Sequence, residues 1–150
     1  MNPKATQHSL LFLLGFLSIS AVFGGGALVI SPSGKLLGGL PLSILRNSPF
    51  SSFLVLGIIL FVILGICPGL LVVALLKKPA SGLAERFNFC KDMHWCWSFT
   101  IYTAFALIIW IQVETIYIKG VGWLQTFYML LAIPIIFIAL LPDVRNRYKK

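Results

Sequence analysis

Acidic residues are nearly missing from this chain: Glu85, Asp92, Glu114 and Asp143 are all of them, against twelve lysines and arginines. Charged residues of both signs make up 11% of the 150 positions, where soluble domains usually carry about a quarter. With 59% hydrophobic residues the chain has too little polar surface to cover a soluble globule, so lipid is the expected solvent. Also missing is any polar stretch long enough to fold as a separate soluble domain. A site is therefore expected between helices or on short connections. Neither a nucleophile with an adjacent base nor a phosphate-cradling loop is present, and no cofactor is expected.

What the chain does contain is four long apolar runs, 9–30, 51–76, 95–118 and 124–141. Each is near or above the ~20 residues a helix needs to cross a hydrocarbon layer about 30 Å thick. The runs are continuously apolar rather than alternating, which excludes membrane strands. The expected fold is an all-α bundle of four transmembrane helices forming one domain, 1–150. The first run is expected to be a retained anchor rather than a cleaved leader. Its apolar character continues past the small residues Ser18, Ser20 and Ala21 through Ile30.

Basic residues resist translocation, so their distribution assigns sides. Four crossings put Lys4, Lys77, Lys78, Arg86, Lys91, Arg145, Arg147, Lys149 and Lys150 on one side, leaving Lys35, Arg46 and Lys119 on the other. The nine-residue side is expected to be the cytoplasm, with both termini in it. Lys77, Lys78, Arg86, Lys91, Arg145 and Arg147 fall within a few positions of span ends and are read as lipid-headgroup contacts, not as a nucleic-acid surface. Trp95, Trp97 and Trp123 mark the boundaries as interfacial rings.

The first loop is apolar for a loop, with Leu36, Leu37, Leu40, Leu42, Ile44 and Leu45. Ser31-Pro32-Ser33-Gly34 reads as a turn, and Pro41 suits the start of a short helix running to about Arg46. That helix is expected to lie in the interface of an extracytoplasmic loop, the alternative being a lid over an outward-facing cavity. Gly120 and Gly122 in the short third loop imply a tight hairpin, making the third and fourth helices antiparallel neighbours. Gly24, Gly25 and Gly26 in the first run, and Gly57, Gly65 and Gly69 in the second, permit close helix approach. Packing within the bundle is expected ahead of a dimer contact.

The third run is the polar one. Steps of three and four residues put Thr100, Thr103, Trp110, Glu114 and Tyr117 on one face, which is expected to point into the bundle. Glu114 bears the one full charge within a run. It lies about a turn from the outer end, so pairing with Lys119, Lys35 or Arg46, interfacial solvation, or a proton- or cation-linked role all fit. Cys90, His94 and Cys96 are weak zinc candidates, because alternate residues of one short segment would have to wrap a single ion. Metal binding is not expected.

Several activities of small four-helix membrane proteins are excluded. Disulfide-generating oxidoreductases need cysteine pairs on the oxidising side, yet Cys67, Cys90 and Cys96 all fall outside the first and third loops. Small multidrug exporters carry an acidic residue deep in their first helix, and glutathione-handling enzymes carry charged and amide residues in their second. Neither pattern is present.

At Gly24-Gly25-Gly26, Ser31-Pro32-Ser33-Gly34-Lys35-Leu36-Leu37-Gly38, Leu40-Pro41 and Ser48-Pro49-Phe50, with an echo at Leu124-Gln125, the chain resembles a widespread group of small, uncharacterised prokaryotic four-helix membrane proteins. It departs from that group at Ser31, near which relatives often have an acidic residue, and at Leu56, near which they often have proline. The resemblance implies a multi-pass protein of a prokaryotic plasma (inner) membrane and brings no activity with it. The expected function is that of a non-catalytic structural or accessory subunit acting through helix packing. The alternative is a subunit of a small oligomeric transporter or channel, its path lined by the polar face of the third helix. Expected partners are membrane lipids and either a second copy or another membrane protein.

Overall fold

The computed structural model describes residues 2–37, 39 and 41–150; Gly38 and Leu40 of the first loop lie outside the described residues. Among these the protein is all-helical, with one isolated β-bridge between Met93 and Lys149. Four helices are long and apolar enough to cross a membrane: α1 (Pro3–Ile30), α2 (Leu54–Lys77), α3 (Trp95–Ile118) and α4 (Trp123–Leu140). They run alternately up and down. One end of the bundle carries both termini and the α2–α3 connection, and is called the terminal end. The other carries the first and third loops, and is called the loop end.

Helix α1 starts six residues before its apolar run. Asn2 caps it by accepting from the Lys4 backbone N–H at 3.1 Å, and Pro3 occupies the first turn, where its missing N–H costs nothing. Hydropathy marks the part of a helix that contacts apolar surroundings, whereas the backbone continues through polar residues to its cap. Helix α2 starts three residues later than its apolar run. Ser51 and Ser52 are bends, and the Phe53 N–H is held by the Pro32 carbonyl at 3.0 Å.

Every face of α1 is apolar, so its orientation depends on residue size. Leu10, Leu14, Leu17, Ala21, Gly25 and Leu28 form the buried seam, in steps of three and four. Phe12, Phe16, Ile19, Phe23 and Ile30 follow the same spacing on the exposed face. Where surroundings and core are both apolar, packing rather than burial decides which face turns inward. The closest approach is to α2. A Cβ on Gly25 would stand 2.6 Å from the Phe61 backbone nitrogen, whereas one on Gly24 or Gly26 would meet only ordinary contacts. The Ser18 hydroxyl then donates to the Gly65 carbonyl at 2.7 Å, tying the helices together.

Between Leu60 and Ile66 the α2 backbone widens into π-helical turns that end just before Cys67-Pro68. A proline inside a helix lacks its N–H and crowds the carbonyl four residues back. Widening the preceding turns accommodates that ring. In the α3–α4 hairpin the left-handed residue is Lys119, with φ 53°, rather than a glycine. Gln125 closes the turn by accepting from the Gly122 N–H at 3.0 Å.

In the first loop, a 3-10 helix over Leu42–Asn47 crosses the loop end of the bundle. Its Leu45 is buried with Leu28 and Phe53 in a small apolar cluster separate from the main core.

Candidate functional site

The polar face of α3 divides by depth. Towards the terminal end, Thr100 and Thr103 donate back to the Cys96 and Phe99 carbonyls of their own helix, each at 2.9 Å. Their hydroxyls are satisfied locally. Towards the loop end, Trp110, Glu114 and Tyr117 open onto a cavity of about 280 Å³. It is the part of this face at which a ligand can be held.

The cavity is lined by all four long helices. Leu17, Leu64 and Leu107 form its floor, and Leu37, Ile44 and Leu45 of the first loop stand over it. Polar groups come from α1 (Ser20) and α4 (Gln125 and Tyr128), facing the α3 residues. The Ser20 hydroxyl is already bonded to the Leu17 carbonyl at 3.0 Å. Tyr117 is braced by an edge-on contact with Phe50, ring centroids 6.2 Å apart.

Among the described residues, Glu114 is the one charged side chain lining this cavity, and it forms no ion pair. Lys119, Lys35 and Arg46, the partners suggested by position, do not bridge to it. The single ion pair among the described residues is Lys150 to Glu85, 2.6 Å, at the opposite end of the bundle. A carboxylate next to apolar walls and three aromatic rings with polar edges can bind a positive or hydrogen-bond-donating group.

No protein-family model, curated protein or solved structure matches this chain. What the site can do therefore rests on its own residues.

The terminal end contains the other concentration of polar side chains, and it is fully connected. Buried Asn88 donates to Glu85 at 3.1 Å and to the Met93 carbonyl at 2.7 Å, while accepting from the Cys90 N–H and the Ser98 hydroxyl. Glu85 also accepts from the Trp95 N–H at 3.2 Å. The Lys150 hydrogen bond is the main reason that its carboxyl falls to about 2. Burial works against that shift, and Asn88 and the Trp95 amide reinforce it.

The zinc candidates are occupied otherwise. Cys96 is buried with its thiol on the Ala74 carbonyl at 3.3 Å, and His94 caps α3 by accepting from the Cys96 N–H at 3.4 Å. Burial, its largest influence, holds His94 below its ordinary value. The shift favours the neutral ring, whose lone pair the cap needs. Cys90 is half-buried, and among the described residues no three His, Cys, Asp or Glu side chains converge on one point.

The basic residues read as headgroup contacts are all exposed at this end, but two also bond within the protein, Lys78 to the carboxyl tail and Lys91 to the α2–α3 connection. Lys78 donates to the Arg147 carbonyl at 2.6 Å and lies 4.7 Å over the Tyr148 ring. Lys91 donates to the Glu85 carbonyl at 2.8 Å. Tyr148 itself is buried, donating to the Leu75 carbonyl at 2.9 Å and accepting from the Gln7 amide at 2.8 Å. Trp97 is no interfacial ring: it is buried, and its indole donates to the Ala139 carbonyl at 2.7 Å.

Sequence reasoning missed Ser20, Gln125 and Tyr128 as cavity residues. A signal existed for the last two. They stand three positions apart on α4, one turn of a helix, and form a short polar strip in an otherwise apolar span.

Proposed function

We propose that this chain is a non-catalytic accessory protein of a prokaryotic plasma membrane that binds a small, mostly apolar molecule in the cavity under its first loop. The observation that carries this reading is the cavity itself, because a bundle serving only to pack would fill the space between Leu107 and Leu45 with side chains. Its volume sits at the small end of ligand pockets, suiting one ring or a short chain with a compact head. A path-lining role in a transporter is less well supported. The cavity is floored by three leucines, and the lower half of the α3 face is packed.

In the same proposal both termini are cytoplasmic, supported by the nine basic residues at the terminal end against three at the loop end. Membrane lipids contact the exposed basic residues, and a second copy or another membrane protein packs on the outer faces. Membership of the small four-helix group is part of this reading. Residues of the likeness, Leu37 and Gly24, line the cavity.

The test is ligand-induced stabilisation of the full chain in mild detergent, using neopentylbenzene as a neutral probe that fits one ring and a compact head. The wild type is expected to melt several degrees higher with saturating probe. Gly24→Leu is expected to abolish that shift. It narrows the cavity from a position where a Cβ meets only Leu60 at 3.6 Å. Equal behaviour of the two proteins would overturn the reading.

A further inference from the structure

We infer that the cavity is selective for organic cations, with Glu114 as the counter-charge and Trp110, Tyr117 and Tyr128 as the faces against which the cation rests. This deepens the binding reading above and rests on it.

Charge and its surroundings carry the argument. Of the cavity's lining residues among those described, one is acidic and none is basic. No lysine or arginine forms an ion pair with Glu114. With no basic partner, this carboxyl against low-dielectric walls repels anions, and its ionised form needs a bound cation as counter-charge more than it would in water. Shape adds to this. Trp110 and Tyr117 flank Glu114 at helical spacing on α3, and Tyr128 faces them from α4. Aromatic faces around a carboxylate suit a cation too diffuse to form a tight ion pair, such as a quaternary ammonium. The leucine floor and the roof of Leu37, Ile44 and Leu45 then take up an apolar substituent. A small inorganic cation fits poorly, because the lining offers it one carboxylate where hard ions take six or more oxygens.

The test compares benzyltrimethylammonium with its neutral isostere neopentylbenzene and with benzylsulfonate, on the full-length protein in mild detergent. The cation is expected to bind at least about tenfold more tightly than the isostere, and the sulfonate more weakly than either. Glu114→Gln is expected to remove the cation's advantage, so that cation and isostere bind alike. Should that variant fail to fold, Glu114→Asp is expected to keep the preference, and the wild-type ranking alone still decides.

Equal binding of cation and isostere would overturn the inference while leaving the binding reading intact. A Gln variant that loses both probes equally would also overturn it, since Glu114 would then be holding the cavity's shape. Failure of all three probes to bind the wild type would overturn both readings.

Discussion

The two ends of the bundle both gather polar side chains and treat them differently. At the terminal end Asn88, Glu85, Ser98, Tyr148, Gln7 and Lys150 are hydrogen-bonded to one another or to backbone carbonyls. At the loop end Glu114, Trp110, Tyr117 and Tyr128 surround space, and the carboxylate is without an ion pair. Buried polar networks that are fully satisfied fasten a structure together, while polar groups left facing a cavity await something else. On the proposed function, the contrast separates a structural end from a binding end.

If that division holds, substitutions at the terminal end act on stability, and those at the loop end act on binding. The largest loss is expected for Tyr148→Ala. It removes a buried ring and leaves the Gln7 amide and the Leu75 carbonyl unpaired, at a cost of about 3–5 kcal/mol. Thermal or denaturant unfolding in detergent measures it, and a loss under 1 kcal/mol would show the tail to be loosely held. Asn88→Ala is expected next, at about 2 kcal/mol, since it orphans the Cys90 N–H and the Ser98 hydroxyl.

Smaller still is Lys150→Ala, at no more than about 1 kcal/mol, because the ion pair with Glu85 is partly exposed. Its signature is instead in the pH dependence. The folded Glu85 carboxyl lies at about 2, below its ordinary 4.5. Its contribution is therefore complete above about pH 4.5 and lost as the pH falls towards 2. Melting curves across that window are expected to slope more shallowly in Lys150→Ala than in the wild type. The smallest stability effect is expected for Glu114→Gln, within about 0.5 kcal/mol. A loss comparable to that of Asn88→Ala would erase the distinction between the ends.

Much of the helical frame was legible from hydropathy. The third apolar run coincides with α3, because a capping histidine and a left-handed lysine stop the helix where the apolar residues stop. It was less legible where polar residues carry the backbone onward, as in Pro3–His8, or where serines bend it, as at Ser51 and Ser52. For the site, three-and-four spacing brought Trp110, Glu114 and Tyr117 together. The same spacing included Thr100 and Thr103, since it reports which face a residue shares and not what fills the space opposite. The tail was hidden for a different reason. A single tyrosine among basic residues reads as surface, and its partners, Gln7 and Leu75, lie 141 and 73 positions away.

The most direct test of the binding end is a crystal structure of the full chain with 4-bromobenzyltrimethylammonium, located by the anomalous signal of bromine. The account predicts one ordered peak among Trp110, Glu114 and Tyr128, beneath Leu45. An empty cavity at saturating probe, or a peak confined to the terminal end, would contradict it.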